Sequence, residues 1–137
     1  MNKIEHIGIA VKDITASNKI FEDILGLPAY KTEIVESEGV LTSFFQVGPN
    51  KIELLQATNS DSAIAKFLEK NKEGIHHIAF DVEDIYAEIE RLKGLGYQMI
   101  HNEPKEGADN KIIAFMHPKA SNGVLLELCQ DKSKVAK

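Results

Sequence analysis

Apolar and polar residues alternate along residues 3–11 and again along 75–82, the period of a strand with one packed face. An aspartate follows each stretch, Asp13 or Asp84, well placed to cap a helix. Ile14, Phe21, Ile24 and Leu25 then recur at helical spacing, as do Ile85, Ile89 and Leu92. Gly26 and Gly96 supply the stops. Three strand-like stretches come next in each half: 30–36, 40–47 and 51–57, then 97–101, 111–117 and 123–130. Each half therefore reads β-α-β-β-β. Between them, residues 60–71 predict a capped linker helix with Ile64, Phe67 and Leu68 on its buried face.

The two halves also match residue by residue, which makes duplication the simplest account. His6-Ile7-Gly8-Ile9-Ala10-Val11-Lys12-Asp13-Ile14 aligns with His77-Ile78-Ala79-Phe80-Asp81-Val82-Glu83-Asp84-Ile85. Later, Ile52-Glu53-Leu54-Leu55-Gln56 aligns with Leu126-Glu127-Leu128-Cys129-Gln130. The predicted fold class is α+β. Two tandem βαβββ modules, about 1–58 and 73–131, flank a linker helix of about 60–71 within a single domain of 1–137.

Strand geometry then singles out four side chains. His6, Gly8 and Ala10 share one face of their strand, and Ile7, Ile9 and Val11 the other. His77 and Ala79 repeat the arrangement. A histidine followed by small residues suits a concave, ligand-admitting face. Glu53 and Glu127 each interrupt an otherwise apolar strand, where a carboxylate is costly unless paired or coordinated. A lone strand histidine is usually a hydrogen-bonded core residue, and a lone strand glutamate usually meets water. Duplication of both types favours a metal site instead. Imidazole nitrogen and carboxylate oxygen suit Co²⁺, Ni²⁺, Zn²⁺ or Mn²⁺. The four donors converge if the modules close into one cupped eight-stranded sheet around the ion, leaving two coordination positions for substrate. His76, Gln56 and Gln130 fall on the opposite face and read as structural, and His101 reads as a surface residue.

Composition narrows the setting. With 43% hydrophobic and 27% charged residues the 137-residue chain is ordinary for a globular domain. A net charge of -5 argues against nucleic acid as a partner. No apolar run approaches the roughly 20 residues of a membrane span, and the first residues lack a signal-peptide core. One cysteine, Cys129, allows no internal disulfide, so a cytoplasmic location is expected.

With these residues in view, the chain resembles the vicinal oxygen chelate superfamily, and within it the methylmalonyl-CoA epimerase family. The resemblance runs from Glu5 to about Gln130. Its specific parts are Asp61-Ser62-Ala63-Ile64-Ala65-Lys66-Phe67-Leu68 before Gly74-Ile75-His76-His77, and Phe115-Met116-His117-Pro118-Lys119 before Gly123-Val124-Leu125-Leu126-Glu127-Leu128. It implies a metal-dependent isomerase that interconverts (2R)- and (2S)-methylmalonyl-CoA by C2 proton transfer through a metal-stabilised enolate. His6, Glu53, His77 and Glu127 would hold one divalent ion, Co²⁺ first, with Mn²⁺, Ni²⁺ or Zn²⁺ as alternatives. Glu127 would also exchange a proton, and His117 and Lys119 would contact the acyl-CoA substrate. A homodimer is implied as well. Inversion requires a second acid/base group. Some relatives carry a glutamate at the position of Thr42, so that group is open here, with Glu36, Glu38 or a metal-polarised water as candidates.

Rival readings share the fold. A glyoxalase I-like lactoylglutathione lyase would use the same ligand set, but its usual arginine at the start of the first helix is missing from Thr15-Ala16-Ser17-Asn18-Lys19, and Arg91 is the chain's one arginine. A non-enzymatic sequestering protein needs no four-ligand set. An extradiol dioxygenase uses three ligands.

Overall fold

A computed structural model describes residues 1–135; residues 136 and 137, the end of the expected domain, lie outside the described residues. The elements are β1 (Lys3–Ala10), α1 (Ile14–Leu25), β2 (Lys31–Val35), β3 (Val40–Val47), β4 (Asn50–Ala57), α2 (Ala63–Lys70), β5 (Gly74–Asp81), α3 (Ile85–Gly94), β6 (Lys105–Glu106), β7 (Lys111–Phe115) and β8 (Leu126–Asp131). Both halves are βαβββ, as the sequence pattern predicts. Hydrogen bonding orders the strands β2-β3-β4-β1-β5-β8-β7-β6 in one eight-stranded sheet. The described chain divides into two compact units, residues 6–76 and residues 1–5 with 77 onward.

In the 6–76 unit, β4 lies parallel to β1 and antiparallel to β3, which is antiparallel to β2. One face packs on α1 through Val11, Ile14, Phe45 and Leu54, with Ile9 and Phe21 against them. Asp13 caps α1 by accepting from the backbone N–H groups of Thr15 and Ala16, and Gly26 ends it in the left-handed conformation that glycine adopts without a Cβ clash. The other face is closed at one end by α2. There Ala10, Val40, Leu55 and Ile64 form a second core, joined by Phe67 and Leu68. The linker helix therefore plugs one end of the histidine-bearing face. Gly39 makes the adjoining turn possible: its φ is +62°, and a Cβ there would come within 2.9 Å of Ser62 Cβ.

In the other unit, β5 runs parallel to β8, and β8, β7 and β6 follow antiparallel. Residues 1–5 join it through Asn2, whose backbone N–H donates to Asp81 O at 2.8 Å and whose side chain reaches Asp81 Oδ2 at 3.0 Å. Its main core sets Ile85, Ile89 and Leu92 of α3 against Val82, Met99, Ala114, Met116 and Leu128.

One strand differs from expectation. Residues 97–101 form no strand but a single bridge, Met99 to Met116, and the edge of the sheet is the two-residue β6. Pro104 offers no backbone N–H to a ladder, so pairing resumes only at Lys105. His101 is also not a surface residue: half-buried, its Nδ1 accepts from Phe115 N at 3.1 Å.

Candidate functional site

Two buried His/Glu pairs stand at equivalent places in the two units. In the 6–76 unit, His6 Nδ1 lies 3.0 Å from Glu53 Oε2, with about 5% of either side chain exposed to solvent. The register explains the meeting. Glu53 pairs with Gly8 across the parallel β1–β4 ladder, so the carboxylate rises beside a residue without a side chain, one pleat from His6. In the other unit, His77 Nε2 lies 3.1 Å from Glu127 Oε1, equally buried. Glu127 pairs with Ala79, which again leaves room.

Each pair has the spacing of two neighbouring ligands on one ion. Donor atoms at about 2.1 Å from a metal and at right angles about it are about 3 Å apart. Nitrogen and oxygen donors held at that spacing, out of water, fit a borderline divalent cation, and His6, His77 and Glu127 are residues that could hold a metal ion.

Sequence patterning missed the aromatic residue beside each glutamate. Phe44 pairs with Glu53 across β3–β4, and Phe115 pairs with Glu127 across β7–β8. Phe115 sets its ring at 88° to the His77 imidazole, with centroids 5.5 Å apart, and so limits how that ring can turn. Both phenylalanines sit in apolar runs, Thr42-Ser43-Phe44-Phe45 and Ile112-Ile113-Ala114-Phe115, where only register tells the two faces apart.

The glutamines three residues after each glutamate point the other way and anchor the helices. Gln56 Oε1 accepts from Ile14 N at 2.7 Å, and Gln130 Oε1 from Ile85 N at 2.8 Å. Each satisfies an N–H that the first turn of a helix leaves without a partner. His76 packs edge-on against Phe67 of α2, a structural role. Cys129 shares a face with Glu127 next to Ala79 and Ile113, and burial, with Glu127 and Glu5 nearby, pushes its thiol up.

His117 and Lys119 lie on the short 3₁₀ turn after β7. His117 Nδ1 accepts from Lys119 N at 3.2 Å, and the Lys119 side chain is exposed. Thr42 is fully buried, and its hydroxyl has no hydrogen-bond partner among the described residues. Of the open candidates for a second proton-transfer group, Glu36 is exposed and Glu38 half-buried in the turn beyond β2.

Residues 5–115 match the profile of the Glyoxalase/Bleomycin resistance protein/Dioxygenase superfamily. The chain belongs to that superfamily. Among curated proteins, an ethylmalonyl-CoA/methylmalonyl-CoA epimerase from Cereibacter sphaeroides is 41% identical over 95% of this chain and 98% of its own length. The mitochondrial methylmalonyl-CoA epimerase of Homo sapiens is 37% identical over 95% of this chain and 74% of that protein. Among solved structures, a Streptomyces coelicolor methylmalonyl-CoA epimerase variant in complex with 2-nitronate-propionyl-CoA superimposes with a TM-score of 0.92 at 35% identity, covering 96% of this chain and 95% of the other. Among the described residues, no helix is long and apolar enough to cross a membrane.

Proposed function

We propose that this superfamily member is a methylmalonyl-CoA epimerase, inverting C2 by removing its proton on one face and returning a proton on the other. The observation that carries the reading is the duplicated, buried His/Glu pair at ligand spacing, in a chain 41% identical along its length to an epimerase of such acyl-CoA substrates. We assign His6, Glu53, His77 and Glu127 to one divalent ion, with Co²⁺ the first choice and Mn²⁺, Ni²⁺ or Zn²⁺ of similar donor preference. When bound, the ion supplies Lewis-acid stabilisation of the charge that deprotonation places on oxygen. The nitronate held by the Streptomyces coelicolor relative supports the reading, because a nitronate shares the planar carbon and oxygen-borne charge of an enolate.

The chain's own residues do the rest. Glu127 has a carboxylate oxygen held beside His77 and exchanges a proton with C2. The C2 hydrogen lies between a thioester and a carboxylate, so it is already acidic enough for a carboxylate to remove with such help. His117 and Lys119 are proposed to meet the anionic parts of the acyl-CoA. A homodimer in the cytoplasm completes the proposal.

The deciding experiment incubates metal-loaded protein with methylmalonyl-CoA in D₂O and follows C2 by NMR. The expected result is deuterium incorporation with interconversion of the epimers. Glu127→Gln retains an amide oxygen for the ion but no base, so at matched metal occupancy interconversion of the epimers should fall at least about a hundredfold. No exchange by the loaded wild-type protein would overturn the activity. Near-normal interconversion in Glu127→Gln would leave Glu127 a ligand alone.

A further inference from the structure

We infer that Glu33 is the second proton-transfer carboxylate, working on the face of C2 that Glu127 does not serve; the inference rests on the epimerase reading. Inversion needs this group, since one carboxylate cannot reach both faces of a planar anion that stays bound.

Register places Glu33 on the ligand-bearing face of the 6–76 unit. Residues directly opposite each other in an antiparallel ladder share a face. Glu53 lies opposite Phe44 and Leu55 opposite Thr42 across β3–β4; Phe44 lies opposite Lys31 and Thr42 opposite Glu33 across β2–β3. Lys31, Glu33, Thr42, Phe44, Glu53 and Leu55 therefore look the same way. Two contacts agree. Lys31 Nζ sits 5.2 Å over the ring of the buried Phe44, and the same ammonium lies 3.1 Å from Glu33 Oε1. Thr32 and Ile34, the alternate residues of β2, are exposed on the far side.

Along the described strands of this unit, Glu53 and Glu33 are the carboxylates on that face. Glu53 is assigned to the ion, which leaves Glu33 for chemistry. Strands spaced about 4.8 Å apart, with a two-residue offset of about 3.4 Å per residue along them, put the Glu33 backbone roughly 12 Å from that of Glu53, and a glutamate side chain spans less than half of that gap. Beside Glu33 in the ladder, between it and Leu55, the fully buried Thr42 carries a short side chain whose hydroxyl has no hydrogen-bond partner among the described residues. The step balances without a co-reactant. Glu33 as carboxylate takes the C2 proton and becomes the acid, while Glu127 as acid gives its proton to the opposite face of C2 and becomes the carboxylate; the reverse reaction exchanges these roles. Glu33 has 31% of its side chain exposed, against 6% for Glu127, so its proton exchanges readily with solvent.

The test uses isotope exchange from each epimer separately, in D₂O, with metal-loaded wild-type and Glu33→Gln proteins. In Glu33→Gln, interconversion should fall at least about a hundredfold, while one epimer still exchanges its C2 hydrogen through Glu127 with configuration retained. A purely structural role for Glu33 would not separate exchange from inversion in this one-sided way. Inversion within a few-fold of wild type would overturn the assignment, as would equal loss of exchange from both epimers. One-sided exchange in Glu36→Gln or Glu38→Gln instead would also overturn it. Failure of the wild-type protein to exchange either epimer would strike the epimerase reading itself.

Discussion

The two modules share a scaffold and differ in what they attach to it. Each presents a histidine, a glutamate and a phenylalanine on one face and a helix-anchoring glutamine on the other. Beyond those positions they part. Where the first module sets Val40 opposite Ala57, the second sets Lys111 opposite Asp131. The reason is α2: it buries Val40 and packs on Ala57, and among the described residues the second module has no such α-helix over the matching end. Thr42 opposite Glu33 in the first module answers to Ile113 opposite Lys105 in the second. Duplication therefore kept the candidate ligands and the helix anchors, while the flanks diverged in charge and cover.

The largest expected effect tests whether the two His/Glu pairs are equivalent. His6→Ala and His77→Ala should each weaken metal binding at least about a hundredfold, because each opens a coordination position and loosens its partner glutamate. Metal analysis by mass spectrometry reads this directly. Full occupancy in His77→Ala would break the equivalence and the ligand set with it.

A smaller effect separates the two glutamine anchors. Gln130 is 3% exposed and also donates to Lys134 O, whereas Gln56 is half-buried. Gln130→Ala strands the Ile85 N–H away from water and should cost about 1–3 kcal/mol, with Gln56→Ala nearer the lower end. Urea denaturation measures both. Equal losses would show that burial does not distinguish them.

The smallest effect concerns the pair that replaces Val40 and Ala57. Hydrogen bonds from Ser133, and more weakly Lys111 at 3.6 Å, hold the Asp131 carboxyl below its ordinary range. A carboxyl depressed in the folded state adds stability above its unfolded pKa of about 3.9, and loses it as pH falls through the folded value. Asp131→Asn should therefore cost less than about 1 kcal/mol at neutral pH, given the exposure of the pair, and the gap from wild type should close in acid. Thermal melts across pH 3–7 would show it. A gap that widened in acid would reverse the sign.

The sequence by itself determined the module order, the helices with their aspartate caps, and the four candidate ligands. Each is written in local periodicity or in a repeated string such as Ile52-Glu53-Leu54 and Leu126-Glu127-Leu128. Strand alternation also sent Gln56, Gln130 and His76 to the face away from the glutamates, though not to their partners. Only the tertiary structure decided three things. It replaced an expected strand at 97–101 by the two-residue β6, because pairing depends on the neighbour's reach and on Pro104 rather than on propensity. It made α2 a plug over Ala10, Val40 and Leu55, since a linker helix carries no sign of which face it will cover. And it set Phe44, Thr42, Lys31 and Glu33 on the face that bears Glu53, because ladder register joins residues about ten and twenty places apart, a distance at which the chain's own period is silent.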